Sequence, residues 1–122
     1  MDERDPGDEL FEIEKGFWTG GEDYFLAHVD DQCLLAFPTM PDFHGVHERA
    51  EVAATARQPN RWREVEMSSK QLLRPADDVA VLSYVVSAKK SDGTPYKAMI
   101  GTVYAKRGDG WKMAFHQHSP MD

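Results

Sequence analysis

The stretch DVAVLSYVVSAKKSDGTPYKAMIGTVYAKR, residues 78–107, decides the fold class. Two segments rich in β-branched and aromatic residues, 78–91 and 95–107, flank the turn Ser91-Asp92-Gly93. An Asp-Gly pair between two such segments is a strong hairpin signal, because glycine adopts the positive φ that tight turns require. The stretch therefore predicts two long antiparallel strands.

Working outward, two further strands are predicted at 62–74 and 110–118, with turn residues at 75–77 and 108–110. Ahead of Trp62 the pattern is helical: a helix opens near Pro6-Gly7 with Asp8 as its N-cap and ends at Gly20-Gly21. Further helices are predicted at 22–29 and 46–56, a short strand at 32–37 and a loop at 38–45. Helices followed by an antiparallel meander indicate an α+β fold, with N-terminal helices packed on a strongly curved sheet.

The chain length of 122 residues fits one domain, which we place at 8–122 after a polar tail at 1–7. The net charge is −7, and eleven of the 21 acidic residues lie within 1–31. We expect Glu9, Glu12 and Glu14 to face water or to lie near the positive N-terminus of the first helix.

Several partner classes are excluded by composition. An acidic chain without a basic stripe argues against nucleic-acid binding, and no run of eighteen apolar residues is present to span a membrane. The acidic N-terminus does not read as a secretory signal. The single Cys33 allows no internal disulfide, and its apolar neighbours indicate a core position. A cytoplasmic location is therefore expected.

The predicted strands are apolar on both faces. Three helices can cover only one face of a sheet, so we expect the other face to pack against a second copy of the chain. In the strand at 78–91, the two apolar sets are Val79, Val81 and Val85 on one face and Leu82, Tyr84 and Val86 on the other.

A resemblance to a known family is carried by the order of the elements and by Trp18, Trp62, Tyr84, Asp92-Gly93, Tyr96, Tyr104 and the closing segment GWKMAFHQHSP, residues 110–120. These features resemble the nuclear transport factor 2-like superfamily, whose cone-shaped α+β fold is shared with SnoaL-like cyclases and ketosteroid isomerases. More narrowly, the chain resembles a branch of unknown function that ends in W-x-x-x-x-H-Q-x-[ST]-P. At position 118 that branch commonly has Gln, whereas this chain has His.

The resemblance implies a pocket between helices and sheet, and a homodimer formed through the sheet. In enzymes of the superfamily an Asp or His in the pocket acts as an acid or base, which makes His116 the catalytic candidate here. Aromatic side chains are the alternative explanation of the same positions, because they also fill cores and dimer faces. The predicted pocket residues are Trp18, Tyr24, Phe37, Tyr84, Tyr104, His116 and His118.

A metal site is the other chemistry that the histidines could serve. His44 and His47 are about one helical turn apart, and His116 and His118 would share one face of a strand. This spacing matches no known motif, so we predict neither a metal nor a cofactor.

Alternation along residues 110–118 places Trp111, Met113 and Phe115 on one strand face and both histidines on the other. We expect His116 to be buried and hydrogen-bonded, and His118 to be more exposed. Three functions remain open: a homodimer that binds a small apolar molecule, a SnoaL-like isomerase, cyclase or hydrolase-type enzyme, and a purely structural dimerisation module.

Overall fold

The predicted hairpin is present in the computed structural model, which describes residues 6–38, 41–57 and 62–121. Gly93 has a φ of +89°, the conformation that favours glycine in a turn. The backbone N–H of Lys90 donates to the carbonyl of Thr94 at 2.9 Å and closes the loop.

The helices and strands follow the predicted order closely in the second half of the chain. The helices are α1 (Pro6–Thr19), α2 (Glu22–His28) and α3 (Arg49–Ala54), with 3-10 turns at Pro41–Phe43 and Thr55–Arg57. The strands are β1 (Val29–Ala36), β2 (Gly45–Glu48), β3 (Trp62–Ala76), β4 (Val79–Lys90), β5 (Pro95–Arg107) and β6 (Gly110–Pro120). The α+β prediction is confirmed.

All six strands form one sheet in the order β2-β1-β6-β5-β4-β3. The meander β3–β6 is antiparallel as predicted, but β1 runs parallel to β6, so the sheet is mixed. A parallel pair needs a long connection between its two strands. Here the connection from β1 to β6 contains β2, α3 and the strands β3 to β5. Register shifts in β3 and at the β5–β6 pair mark bulges, at which strands bend.

The helix predicted at 46–56 is wrong over its first three residues. Residues 45–48 form β2, which pairs antiparallel with β1, and α3 begins only at Arg49. Glu48 and Glu51 form a reciprocal capping box at the start of that helix. Strand pairing overrides the helical composition here because β2 provides hydrogen-bond partners for β1.

The first helix begins earlier than predicted, at Pro6, so Asp8 lies inside its first turn and is not the N-cap. Residues 1–5 of the predicted polar tail and residues 39–40 of the predicted loop lie outside the described residues. Within the described residues, no helix is both long enough and apolar enough to cross a membrane.

The helices cover one face of the sheet, here called the inner face. Two clusters of buried side chains lie on it: one around Leu10, Leu82 and Tyr104, the other around Trp18, Tyr84 and Ile100. Strand alternation turns the remaining side chains toward the opposite, outer face.

The outer face carries a continuous apolar row across the whole sheet. Each strand contributes one directly paired residue to this outer row, which consists of Val46, Leu34, Phe115, Val103, Val81 and Leu73. Its end members Val46 and Leu73 are 62% and 63% exposed. The expectation of two apolar sheet faces therefore holds in three dimensions.

Candidate functional site

A buried carboxylate lies at the centre of the inner face. Glu14 of α1 is fully buried, contrary to the expectation that it faces water. Leu10 and Trp18 are four residues to either side of it, so Glu14 lies on the apolar stripe that α1 turns toward the sheet. An isolated buried charge is very costly in free energy, so this carboxylate needs hydrogen-bond partners within the core.

Three hydroxyl groups of the sheet donate hydrogen bonds to Glu14. Tyr84 of β4 and Thr102 of β5 donate to Oε2, the latter at 2.9 Å, and Tyr104 of β5 donates to Oε1 at 2.6 Å. The indole N–H of Trp18 donates to the Tyr84 hydroxyl at 2.9 Å. The carboxylate is thus held by donors that the alternation of two neighbouring strands places on one face.

The two histidines of β6 extend this network toward the surface. His116 Nδ1 lies 2.8 Å from the Thr102 hydroxyl, and its Nε2 lies 2.9 Å from Nε2 of His118. The Nδ1 of His118 lies 2.9 Å from the hydroxyl of half-buried Tyr96. A continuous hydrogen-bonded chain therefore runs from Tyr96 to the Glu14 carboxylate.

Burial sets the charge of these groups. It raises the pKa of Glu14 above its ordinary value, an effect that the three hydroxyl donors oppose. Burial lowers the pKa of His116 to about 4, and burial together with His116 lowers the pKa of His118 to about 2. Both imidazoles are therefore neutral near pH 7, and the 3.6 Å approach of His116 to Glu14 is not an ion pair there.

A bulge in β6 explains why the histidines reach the inner face together with Trp111 and Met113. Tyr104 pairs with Met113 and Val103 pairs with Phe115, so Ala114 is the extra residue. The strand alternation is reset at this point. The prediction that Trp111 and Met113 lie on the opposite face from the histidines is wrong, whereas Phe115 does lie on the outer face.

The outer end of the hydrogen-bonded chain, at His118 and Tyr96, lies in an aromatic cluster. His118 stacks on Trp18 with ring centroids 5.3 Å apart and contacts Phe37 at 4.7 Å. Trp62 contacts Trp18 at 5.2 Å and Tyr96 at 4.9 Å. The outer end of the network is thus surrounded by flat apolar surfaces contributed by α1, β3, β5, β6 and the end of β1.

The structure brings together six of the seven predicted pocket residues. Trp18, Tyr84, Tyr104, His116 and His118 share the hydrogen-bond network, and Phe37 packs against the two histidines.

Tyr24 does not join them. Its hydroxyl donates to the carbonyl of Ile13 at 2.8 Å, and its ring packs against Phe17 and His28. It therefore lies on a different side of α1 from the histidines.

Histidine burial follows the expected order. His116 is 9% exposed, whereas His118 is only half-buried.

A cavity of about 750 Å³ lies between α1 and β3 and is lined by none of the predicted pocket residues. Phe11, Val65 and Met67 contribute its apolar surface. Its other lining residues are polar or charged, namely Asp8, Glu12, Lys15, Glu66, Ser68, Lys70 and Ser87. Farther along the same two elements, Trp18 contacts Trp62. The cavity therefore lies next to the aromatic cluster.

The residues that the structure describes contain neither a clustered metal site nor an exposed thiol. Among the described side chains, no three of the His, Cys, Asp and Glu residues are grouped to hold a metal ion. His47 instead lies 2.8 Å from the carbonyl of Phe43. Burial, with smaller contributions from Asp30 and Glu14, raises the pKa of Cys33 to about 12, so its thiol is protonated and packs in the core.

No family profile matches the sequence, and no curated protein is similar to it at a significant level. Solved structures do match. A nuclear transport factor 2-like protein from Cytophaga hutchinsonii superposes with a TM-score of 0.76 at 15% identity, over 97% of this chain and 100% of that one. The chain has the nuclear transport factor 2-like fold.

The same fold occurs in solved structures of other kinds of protein. A ketosteroid isomerase-like protein from Parabacteroides distasonis has a TM-score of 0.78 at 16% identity, over 98% of this chain and 90% of that one. The CaMKII hub homology domain of Chlamydomonas reinhardtii has a TM-score of 0.75 at 17% identity, over 98% of this chain and 100% of that one. At these identities the comparison establishes the fold alone.

Three members of the network were missed as site residues by the sequence analysis, namely Glu14, Thr102 and Tyr96, although Tyr96 was among the residues that carry the family resemblance. A signal was available for Glu14 and for Thr102. Glu14 is the one acid that continues the stripe from Leu10 to Trp18, and Thr102 alternates with Ile100 and Tyr104 on the buried face of β5. A polar residue at an apolar position of a pattern indicates a buried polar group with partners.

Proposed function

We propose that the chain is a homodimer that binds a small, largely apolar molecule with a polar handle in the cavity between α1 and β3. The observation that carries the binding proposal is the cavity itself. Its volume lies within the range of about 300–1,000 Å³ that small-molecule sites occupy. Phe11 and Met67 offer apolar surface, and Lys15 and Lys70, which lie among the acidic lining residues Asp8, Glu12 and Glu66, offer cations for a polar group on the ligand.

The binding proposal is tested with 8-anilinonaphthalene-1-sulfonate, an apolar aromatic probe with an anionic group. Met67→Trp, which fills the cavity, should abolish most of the fluorescence gain of the probe. The matched control is Met99→Trp, because Met99 is 49% exposed on the outer face and does not line the cavity. Binding that survives Met67→Trp, or that is lost only in Met99→Trp, would overturn the cavity assignment.

The dimer proposal rests on the outer row. An apolar row that crosses six strands at paired positions is self-complementary, and exposed rows of this kind are typical of subunit interfaces. Some solved structures with this fold are hub domains, such as the hub homology domain of Chlamydomonas reinhardtii described above. Self-association of this chain through the outer face would cover Val81, Val103 and Phe115.

Light scattering of the wild type should give about twice 13.8 kDa at micromolar concentration. Val81→Lys places a charge within the outer row and should yield a folded monomer. Leu26→Lys is the matched control, because Leu26 is a 42% exposed apolar residue on α2, away from the outer face. A dimer that tolerates Val81→Lys would contradict the proposed interface.

Acid-base catalysis is the second candidate function, and the hydrogen-bonded chain from Tyr96 to Glu14 favours it. Strongly shifted pKa values at neighbouring buried groups are a feature of catalytic sites. In this function His118 is the histidine nearest the surface, and His116 acts behind it. The test incubates the protein in D2O with a panel of small carbonyl compounds and follows deuterium uptake by NMR; exchange that needs His118 would support catalysis, and its absence across the panel would favour binding alone.

A further inference from the structure

Each hydroxyl and each neutral imidazole has one hydrogen to donate. When Glu14 is ionised, the hydrogen bonds from Tyr96 to Glu14 can therefore all be donated in one direction only, toward the carboxylate. The Thr102 hydroxyl donates its one hydrogen to the carboxylate, so His116 must donate Nδ1–H to Thr102. Its Nε2 is then bare and accepts Nε2–H of His118. The Nδ1 of His118 in turn accepts the hydroxyl hydrogen of Tyr96. Every member is satisfied with both histidines neutral.

Protonation of Glu14 permits the reverse arrangement through the same contacts. The carboxyl O–H donates to Thr102, Thr102 donates to Nδ1 of His116, and Nε2–H of His116 donates to Nε2 of His118. Nδ1–H of His118 then donates to the Tyr96 oxygen. The two arrangements differ by one proton on Glu14 and by the tautomer of each histidine, with no change in heavy-atom contacts.

We propose that the hydrogen-bonded chain from Tyr96 to Glu14 is a proton relay. In this relay the buried carboxylate of Glu14 stores a proton that is exchanged with a small molecule at Tyr96. The proposal deepens the second candidate function and rests on it for the identity of the proton donor, a ligand that carries an acidic O–H or N–H group. Glu14 and His116 act through other residues and position the proton.

Atoms and charges balance when a proton is transferred from the ligand to the Glu14 carboxylate. The ligand gives its proton to the Tyr96 oxygen, and the Tyr96 hydroxyl hydrogen moves to Nδ1 of His118. The Nε2 hydrogen of His118 moves to His116, the Nδ1 hydrogen of His116 moves to Thr102, and the Thr102 hydrogen moves to Glu14. The ligand becomes an anion, the carboxylate becomes neutral, and all intermediate groups end neutral. The reverse sequence returns the proton.

Burial raises the pKa of the Glu14 carboxyl, an effect that its hydroxyl donors oppose, whereas burial moves the pKa values of the tyrosines and histidines around it away from neutral pH. Burial first and then the charge of Glu14 raise the pKa of Tyr84, Tyr104 and Tyr24, and burial raises that of Tyr96. The histidines stay neutral because burial lowers their pKa values. The titratable or charged groups that face the network are Tyr24 of α2, Cys33 of β1, Tyr84 and Lys90 of β4, Tyr96 and Tyr104 of β5, and His116 and His118 of β6.

The proposal is tested by NMR titration without any ligand, so that its failure is separate from failure of ligand binding or catalysis. Carboxyl-labelled Glu14 reports its own protonation, and long-range ¹⁵N spectra report which nitrogen of each histidine carries the hydrogen. Above the Glu14 midpoint we expect Nδ1–H on His116 and Nε2–H on His118. Below it, both tautomers should switch at that same midpoint.

Thr102→Val removes the linking hydroxyl and should abolish the tautomer switch while Glu14 still titrates. Thr102→Ser restores the hydroxyl and should restore the switch, which guards against a general packing defect. Tyr104→Phe removes a donor that lies off the chain, so the switch should persist and follow Glu14 to a higher midpoint. Tautomers that stay constant through the Glu14 titration, or a switch that survives in Thr102→Val, would overturn the relay.

Discussion

Oε2 of Glu14 and Nδ1 of His116 lie 3.6 Å apart, and the hydroxyl of Thr102 hydrogen-bonds to both atoms. The carboxylate and the imidazole are thus coupled through a neutral hydroxyl rather than joined as an ion pair. This arrangement keeps a buried acid satisfied in either charge state, which a direct ion pair would not do.

The first prediction concerns the pH dependence of stability. Burial raises the pKa of Glu14 above the ordinary value of 4.5, so the folded state holds this proton more tightly than the unfolded state. The contribution of Glu14 is therefore fully present below pH 4.5 and is lost as the pH rises through the folded-state pKa. We expect the unfolding free energy of wild type minus that of Glu14→Gln to fall with pH, by at most about 1.4 kcal/mol per unit.

Urea unfolding of both proteins between pH 4.5 and 8 measures this difference. His116 and His118 also make the unfolding free energy depend on pH, and both proteins contain them, so the subtraction cancels their contribution. Their contribution has the opposite slope, because their lowered pKa values mean that the unfolded forms bind more protons below pH 6.5. A difference that rises with pH would mean that the hydroxyl donors outweigh the burial of the carboxylate.

The second prediction concerns Tyr84. Tyr84→Phe removes a donor to Glu14 and also removes the hydroxyl that accepts the indole N–H of buried Trp18. At pH 8 we expect a loss of about 1.5–3 kcal/mol, the range for hydrogen bonds to charged groups. Tyr24→Phe is the control, because it removes a bond to the neutral carbonyl of Ile13 and should cost about 0.5–1.5 kcal/mol. Equal losses in chemical denaturation would argue that Glu14 is uncharged at pH 8.

The third prediction concerns the contact between α1 and α2. A Cβ atom at Gly16 would lie 2.2 Å from the ring of Tyr24, so the ring must move in Gly16→Ala. Overpacking of this kind costs about 1–3 kcal/mol, against a gain in helix propensity of about 1 kcal/mol. We therefore expect a lower melting temperature for Gly16→Ala and little change for Gly108→Ala, where nothing lies within 4 Å of the added atom. An unchanged melting temperature in Gly16→Ala would show that Tyr24 adapts without cost.

The fourth prediction concerns Cys33. Its thiol is 1% exposed and its pKa is raised to about 12, so the nucleophilic thiolate is scarce and inaccessible. A thiol reagent at pH 8 should label the native protein only at the rate of unfolding, and should label it fully in denaturant. Rapid stoichiometric labelling of native protein would place Cys33 at the surface.

Local patterns along the chain specified most of the elements. The Asp92-Gly93 turn and the β-branched runs around it set β4 and β5, because these signals act within a few residues and need no tertiary context. The same reasoning failed at residues 46–48, where a helix was predicted from composition but the segment pairs with β1 as a strand. Pairing between segments distant in sequence leaves no local signal.

The sequence alone determined the α+β order, the meander, the two apolar sheet faces and the set of aromatic and histidine side chains near the network. Only the tertiary structure decided what these side chains do. The extra residue Ala114 resets the alternation of β6, so His116 points toward Thr102, and the packing of α1 on the sheet brings Glu14 to the same point. Both depend on contacts between residues separated by up to 90 positions, such as Tyr104 and Glu14, which no local periodicity encodes.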